Sequence, residues 1–244
     1  MSHTTNKNRR WNIIYKIGGA AALSAVLVGL VEMAITFLPG GNTVQETVAD
    51  WFTLFQNNGF MGLRDLGLLN IFLTFLLVPI YFALYATFRD DPDQPYAALA
   101  TITALLGAVV FLATNRAFPM LALSQQYAAA TSETQRAVLE AAGQSMLSVG
   151  QSHTPGTFLG FLLTETAGIA ISLVMLRSNL FNKATAYAGI CGFGFLLVYE
   201  CVGSFATGLT PLTLIVVMLG GLSSMAWYIL IARRLFQLSQ SPVA

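Results

Sequence analysis

The feature that most constrains this chain is an apolar run, from Leu66 to Phe88, that contains no charged side chain. A helix that crosses a bilayer needs roughly 20 consecutive apolar residues, so this run is long enough to span a membrane. The rest of the chain is similar: of 244 residues, 55% are hydrophobic and 9% are charged, and the mean hydropathy is +0.67. Because soluble domains carry roughly 25% charged residues, we expect an integral membrane protein.

Six segments have the length and apolarity of membrane spans, which predicts an all-α, polytopic membrane protein with six transmembrane helices in one bundle. The predicted spans are residues 13–38, 66–88, 96–114, 156–178, 185–206 and 210–232. The first segment is too long for the apolar core of a signal peptide, so we expect it to be retained. The predicted organisation is a basic N-terminus, residues 1–12, a transmembrane domain, residues 13–232, and a tail, residues 233–244.

The distribution of Lys and Arg predicts the orientation of these spans. With the N-terminus in the cytoplasm, nine of the 12 basic residues lie on the cytoplasmic side, and only Arg64, Arg116 and Arg136 lie outside. Cytoplasmic loops normally carry the excess of basic residues. We therefore expect both termini in the cytoplasm.

The first long outer connection is predicted to contain a short amphipathic helix. The pattern Thr43-x-x-Glu46 fits a capping box, which marks a helix start. The apolar residues that follow recur at helical spacing: Val44, Val48, Trp51, Phe52 and Phe55. Such a helix would lie at the membrane surface, with Trp51 as its anchor.

The second long outer connection, residues 115–155, is also expected to be partly helical. Ser132 and Gln135 fit a capping box, and the helix should continue to about Val149. Its apolar face is predicted to contain Val138, Ala142, Met146 and Val149. A connection of this length usually covers a site or moves, although it could also be a plain cap on the bundle.

Three of the spans carry seams of small residues at intervals of three or four positions. The seams run through Gly18, Ala22, Ala25 and Gly29; through Ala97, Thr101, Ala104 and Ala108; and through Gly156, Gly160, Thr164, Gly168 and Ser172. Small residues allow helices to approach closely in lipid. The seams therefore predict tight helix contacts, and the same faces could join copies of the chain into a homo-oligomer.

Eight polar residues fall in the outer half of the predicted bundle, on five of its helices. They are Glu32, Arg64, Asp65, Asn70, Asn115, Arg116, Glu165 and Glu200. A charge at the bilayer centre costs at least about 2.5–3.5 kcal/mol, and such residues are usually functional. If the helices face a common centre, four acids and two arginines form an outward-facing acidic pocket, which would favour bound cations or shared protons.

Three functions are compatible with this pattern. The favoured hypothesis is a protein that binds a cation or a small polar, cationic molecule in the acidic pocket. Negative charge would come from Glu32, Glu165 and Glu200, while Arg64 and Arg116 would hold the acids in place. The alternatives are an intramembrane enzyme with paired carboxylates and a lipid-like substrate, and a structural or accessory subunit. In the last case the small-residue seams would meet a partner. The pocket itself also has alternatives: Arg64 and Arg116 would pair with the acids only to lock the bundle, or the acids would simply reach water.

Other kinds of chemistry have no support in the sequence. The net charge of +1 lacks the basic surface that nucleic acids require. The histidines, His3 and His153, lie outside the predicted spans, so neither a metal site nor a cofactor is expected. The phosphate-binding motif GxxxxGK[ST] and the nucleophile motif GxSxG are both absent. We interpret Ser152-His153 as part of a turn, not as a catalytic pair.

Two stretches of the chain are similar to a known family. They are IYKIGGAAALSAVLVGLVE, which starts at Ile14, and VMLRSNLFNKATAYAGICGFGFLLVYE, which starts at Val174. In both, basic residues precede a helix rich in glycine and small apolar residues. This pattern resembles a bacterial family of multi-pass membrane proteins of unknown function, domain of unknown function 4386. The resemblance implies a location in the bacterial inner membrane, and it supplies no catalytic residues.

Overall fold

The computed structural model describes residues 2–38, 45–206 and 210–240. Across these residues the regular structure is helical, and no strand occurs. The helices are α1 (Ser2–Phe37), α2 (Val48–Asn57), α3 (Gly59–Asp65), α4 (Leu68–Phe88), α5 (Gln94–Thr114), α6 (Ala117–Ala129), α7 (Glu133–Gly150), α8 (Phe158–Arg177), α9 (Lys183–Phe205) and α10 (Thr210–Gln240). The all-α prediction is therefore confirmed.

The six long helices form a ring in chain order. Helix α1 packs on α4, α4 on α5, α5 on α8, α8 on α9, α9 on α10, and α10 returns to α1. The interior of the ring is filled by buried side chains that include Tyr81, Ile171 and Trp227. Large apolar side chains on the outer surface, such as Leu99 and Val109 of α5, are exposed. All six helices are long and apolar enough to cross a membrane, so the chain is a polytopic membrane protein.

The long helices agree with the six predicted segments and extend beyond several of them. Helix α1 begins at Ser2 and α10 continues to Gln240, so the basic N-terminus and part of the tail prolong the flanking helices. Helix α5 stops at Thr114, and after a two-residue break the chain continues as α6. The sequence pattern does not predict α6, because the apolar residues of this helix do not follow a clear amphipathic pattern.

Four short helices, α2, α3, α6 and α7, pack on one another at one end of the bundle and are called the helical cap. Their shared core contains Trp51, Phe52, Met120 and Leu147. Trp51 is only 5% exposed, so the expectation that it anchors α2 at the membrane surface is wrong. The reason is that α6 and α7 cover the apolar face of α2.

The start of α2 differs from the predicted one. The N-cap is Thr47, whose hydroxyl accepts a hydrogen bond from the Asp50 amide at 3.1 Å, and the Asp50 carboxylate accepts one from the Thr47 amide at 2.9 Å. The Thr47 hydroxyl also donates to the Asp50 carboxylate at 2.7 Å, and this hydrogen bond, together with the one from the Thr47 amide, lowers the pKa of Asp50. Thr43, the predicted cap, lies outside the described residues. The chain contains two consecutive capping-box patterns, Thr43-x-x-Glu46 and Thr47-x-x-Asp50. The second one caps α2.

The start of α7 was predicted correctly, but its buried face only in part: the predicted Met146 is partly buried and packs against the core of the cap. Ser132 caps the helix by accepting a hydrogen bond from the Gln135 amide at 3.2 Å. The buried residues are Gly143, Leu147 and Gly150, whereas Val138 is exposed. The two glycine positions have no room for a larger side chain, because α7 lies close to its neighbours: Gly143 faces Val48 and Phe52, and Gly150 faces Arg116.

The predicted small-residue seams pack inside the chain. Gly18 of α1 faces Ala83 of α4, and Gly29 faces Met225 of α10. At Gly160 of α8, an added Cβ would lie 3.1 Å from the Phe111 Cα of α5. Each seam therefore serves a contact between neighbours in the ring, as close packing in lipid requires.

Candidate functional site

The contacts in the structure divide the predicted site residues into three groups. Glu32, Arg64 and Asp65 form ion pairs between α1 and α3. Asn115 and Arg116 bind backbone groups at the break after α5. Glu165 and Glu200 lie on the neighbouring helices α8 and α9, within electrostatic range of each other. Asn70 occupies the first part of α4, where its carbonyl oxygen accepts a hydrogen bond from Thr74 at 2.7 Å.

The first group is centred on the buried guanidinium of Arg64. Its Nη2 lies 2.6 Å from Glu32 Oε1, and its Nη1 lies 2.8 Å from Asp65 Oδ1. The guanidinium also donates to the hydroxyl of Thr36, one turn after Glu32. Burial raises the pKa of Asp65, and the hydrogen bond and charge of Arg64 oppose that rise. This group ties the cap to α1, which agrees with the structural interpretation of these residues.

The second group completes the hydrogen bonds of a helix end. Asn115 Nδ2 donates to the Leu66 carbonyl at 2.8 Å, which joins the end of α5 to the start of α4. Arg116 Nη1 donates to the carbonyls of Ala113, at 2.7 Å, and of Asn115, at 3.1 Å. The last carbonyls of a helix lack partners within the helix. Arg116 therefore binds these carbonyls. Its expected role, to hold the acids in place, is not the one that these contacts give it.

The third group contains a buried carboxylate in contact with a histidine. Glu200 Oε1 lies 2.5 Å from His153 Nδ1, and the two side chains are 3% and 36% exposed. His153 lies in the loop between α7 and α8, and its φ of 58° places it in the left-handed region. The imidazole stacks on Phe161 at 5.1 Å and meets the edge of Tyr199 at 4.9 Å. These contacts hold the ring against the acid.

Several buried polar atoms around this pair have no hydrogen-bond partner among the described residues. They include the second carboxylate oxygen of Glu200, Oε2 of Glu165, and the hydroxyls of Ser152 and Ser204. An unsatisfied buried polar group costs about 1–3 kcal/mol, and more if it is charged. Such atoms are rare in folded proteins and call for a physical reason. These atoms can therefore form hydrogen bonds with a group outside the chain, water included.

Glu165, Glu200 and His153 are together called the Glu165–Glu200 site. Glu165 also lies within electrostatic range of the phenol groups of Tyr81 and Tyr228. The site therefore offers two carboxylates, aromatic hydroxyls and one imidazole, and it can accept hydrogen bonds from a cationic donor. Within the described residues, no group of three or more His, Cys, Asp or Glu residues is placed to hold a metal ion.

His153 is the site residue that sequence analysis missed. It was interpreted as part of a turn, and it does lie in a loop, but the loop carries its side chain to Glu200, 47 positions away in sequence. The available signal was positional: His153 shortly precedes the start of α8, and Glu200 lies near the end of α9. The two residues therefore approach the same end of adjacent antiparallel helices.

Comparison with known proteins agrees with the fold. The family model described as "Domain of unknown function (DUF4386)" matches residues 30–232. No curated protein and no solved structure matches the chain. The matched range includes Glu165, His153 and Glu200, together with the whole helical cap. It confirms the resemblance found in the sequence, and the chain belongs to the DUF4386 family of unknown function.

Proposed function

We propose that this protein binds a small organic ammonium ion at the Glu165–Glu200 site. The observation that supports the proposal is the pair of buried carboxylate oxygens, Glu165 Oε2 and Glu200 Oε2, that lack hydrogen-bond partners in the described part of the chain. An ammonium group carries a positive charge and several N–H donors. It would satisfy both acceptors and compensate the cost of burying their charge.

The surroundings of the acids favour an organic cation over a small inorganic one. The rings of Phe161 and Tyr199 stand beside His153 at the mouth of the site, and Phe158 and Phe205 form an edge-to-face pair at 4.8 Å nearby on α8 and α9. Aromatic faces attract cations, most strongly where water is excluded. A ligand with an ammonium head and an apolar body would use both features.

His153 is the expected entrance to the site. Its side chain is 36% exposed, and the Glu200 side chain behind it is 3% exposed. A cation that approaches from the cap end would have to displace the imidazole from Glu200. A protonated His153 would compete with the ligand, because it would itself compensate the Glu200 charge.

The test is thermal unfolding of the purified protein in detergent with a panel of primary, tertiary and quaternary amines, with Na⁺ and K⁺ included. A ligand at 100 times its Kd stabilises the folded state by about 2.7 kcal/mol. We expect an amine-dependent rise in Tm for the wild-type protein and its loss in Glu165→Gln and Glu200→Gln. Glu32→Gln is the matched control, because Glu32 pairs with Arg64 outside the site.

Two results would count against this proposal. One is a Tm that no amine raises at any concentration up to the millimolar range, and the other is a rise that persists in Glu200→Gln. If Na⁺ or K⁺ raises Tm and amines do not, the site binds an inorganic cation, and the proposal of an organic ligand is wrong.

A second candidate function is supported by the 2.5 Å contact between His153 and Glu200. A histidine held by a carboxylate can act as a general base, and a second acid nearby, Glu165, could return the proton. The protein would then be an intramembrane enzyme that acts on a lipid-like substrate. Its test is incubation in liposomes of bacterial lipids, followed by mass spectrometry of the products. Turnover that disappears in His153→Ala would favour this function over binding alone.

The accessory role loses its main argument in this structure. That role was expected to leave the small-residue seams free for a partner, but the seams pack within the ring. A partner would have to use another surface.

We also propose a location in the bacterial inner membrane with both termini in the cytoplasm. The support is the distribution of basic residues, nine of 12 on the side of the termini, together with the positive-inside rule. Fusions of a fluorescent protein or of alkaline phosphatase to the C-terminus test the orientation. We expect fluorescence and no phosphatase activity, and the reverse pattern would invert the topology.

A further inference from the structure

An open groove of about 370 Å³ lies at the end of the bundle opposite the cap, where α1 begins and α10 ends. It is formed by the turn between α8 and α9, the start of α9 and the end of α10. Its polar lining comprises Asn179, Asn182, Thr185, Arg233, Arg234 and Gln237. None of the described lining residues is acidic. The groove is therefore a positively charged region with several hydrogen-bonding side chains.

The arginines present their charge to the groove in different ways. Arg234 is half-buried, and its Nε donates to the Leu180 carbonyl at 2.7 Å. This bond uses one of the five N–H donors of a guanidinium and fixes the group beside the turn. Arg233 is exposed and lines the same groove. Paired guanidinium groups are well suited to phosphate, which they can bind with two parallel hydrogen bonds.

The start of α9 adds to the positive field. Asn182 caps the helix by accepting a hydrogen bond from the Ala184 amide at 3.0 Å, and both Asn182 and Thr185 line the groove. The N-terminus of a helix carries a partial positive charge, and helix N-termini commonly bind phosphate. Nearby acids of the turn between α4 and α5 have partners of their own: Asp91 accepts from Ser178, and Asp90 pairs with Arg89.

The floor of the groove is apolar. Leu180, Phe181 and Leu230 line it, and the Phe181 ring is stacked on Phe88 of α4 at 5.7 Å. A polar, basic rim above an apolar floor matches a phospholipid, whose phosphate would meet the arginines while its glycerol and first methylenes cover the floor. Basic pockets between membrane helices on the cytoplasmic side commonly bind anionic headgroups. The predicted orientation places the groove on that side.

We propose that this groove is a phosphate-binding site, with Arg233 and Arg234 as its main ligands. The phosphate can belong to an anionic phospholipid of the cytoplasmic leaflet or to a soluble phosphate ester, because both present the same group. The site is separate from the Glu165–Glu200 site, so either proposal can fail without the other.

The experiment measures Tm of the purified protein in a neutral detergent as short-chain phosphatidylglycerol is added. Parallel titrations use short-chain phosphatidylcholine, inorganic phosphate and glycerol 3-phosphate. The test variant is Arg233→Gln, which removes an exposed side chain and should leave the fold intact. The control is Arg177→Gln, which removes the same charge at the same end of the bundle, where Arg177 lies over the Tyr96 ring at 5.8 Å.

A saturable rise in Tm with phosphatidylglycerol, absent with phosphatidylcholine, would support a lipid site. We expect Arg233→Gln to weaken this binding about tenfold, which corresponds to about 1.4 kcal/mol, because it removes a charged hydrogen-bond donor from the phosphate. Arg177→Gln should leave the binding unchanged. A rise with phosphate or glycerol 3-phosphate alone would support the same site with a soluble ligand. Equal responses to both lipids, equal losses in both variants, or no response to any of the four compounds would overturn the proposal.

Discussion

Arg64 of α3 lies 2.6 Å from Glu32 of α1, and the two side chains differ greatly in exposure, at 6% and 41%. The arginine is thus the buried member of the pair, and the glutamate reaches its partner from a more open position. Arg64 also pairs with Asp65 and donates to Thr36. One side chain therefore joins the helical cap to the first helix of the bundle.

Substitution of Arg64 should destabilise the protein more than substitution of Glu32. Arg64→Met removes the partner of two acids and should cost about 3 kcal/mol, because breaking a buried ion pair leaves charge uncompensated. Glu32→Gln should cost only about 1 kcal/mol, since Arg64 keeps Asp65. Unfolding in mixed detergent micelles measures both. Arg136→Gln is the control, because Arg136 forms an exposed pair with Glu133 and lies 5.9 Å from the Tyr127 ring centroid, with no buried carboxylate in its ion pair. Equal losses for Arg64→Met and Arg136→Gln would contradict the structural role.

The stability of the protein should carry a pH dependence from Asp65. Burial raises the pKa of Asp65 in the folded state. The Asp65 carboxyl group therefore keeps its proton to a higher pH in the folded chain than in the unfolded chain. The contribution of Asp65 to the free energy of unfolding is then fully present below the ordinary aspartate pKa of about 3.9. It falls as the pH rises through the raised pKa of the folded state. Asp65→Asn should remove that fall. Tm measured from about pH 4 to pH 7 tests this, with the exposed Asp90→Asn as control; parallel curves for wild type and Asp65→Asn would refute it.

Gly67→Ala should destabilise the junction between the cap and α4. Gly67 has a φ of 93°, and an added Cβ would lie 3.0 Å from Ser152 Oγ and 3.2 Å from Asn115 Nδ2. The left-handed backbone alone costs an alanine about 1–2 kcal/mol. The control is Gly194→Ala in the middle of α9, where a Cβ would meet no described atom within 4 Å. That change should leave Tm equal or slightly higher, because alanine favours helix. A neutral Gly67→Ala would show that the junction is not constrained.

The contact between His153 and Glu200 can be measured with a double-mutant cycle. His153→Ala should cost about 3 kcal/mol, because it leaves Glu200 buried without its charged or hydrogen-bonding partner. The same change in a Glu200→Gln background should cost about 1–2 kcal/mol less. The cycle cancels the effect of the left-handed backbone at position 153, which is common to both backgrounds. Identical costs in the two backgrounds would mean that the pair does not interact in solution.

The sequence was sufficient for features that depend on local pattern. The six long helices follow from apolar length, and the inward faces of α1, α5 and α8 follow from seams of small residues such as Gly18, Ala104 and Gly168. The capping residue Ser132 was equally readable, because a cap is set by neighbours within one turn. In each case the physical cause acts within a few residues of the position that it determines.

The grouping of the site residues could not be predicted in the same way. Glu32 meets Arg64 across 32 positions, and His153 meets Glu200 across 47. Such pairs depend on which helices are neighbours in the ring and on how far each is rotated about its axis. The sequence indicates the outer half of the membrane for these residues, and the seams indicate the inward faces of three helices. It does not indicate which side chains of neighbouring helices and loops meet. As a result, Arg116 was expected near the acids, although it lies at a helix end, where backbone carbonyls take its donors.

The packing of α10 against α1 has a consequence for biosynthesis. The ribosome makes α10 long after α1, so during membrane insertion the earlier helices form an incomplete arc. In that arc Gly19 and Gly29 of α1 are uncovered, because Phe236 and Met225 of α10, which they face in the structure, are not yet present. The arc becomes a closed bundle only when α10 leaves the translocon and contacts α1. Insertion intermediates therefore expose a face of α1 that α10 covers in the finished bundle.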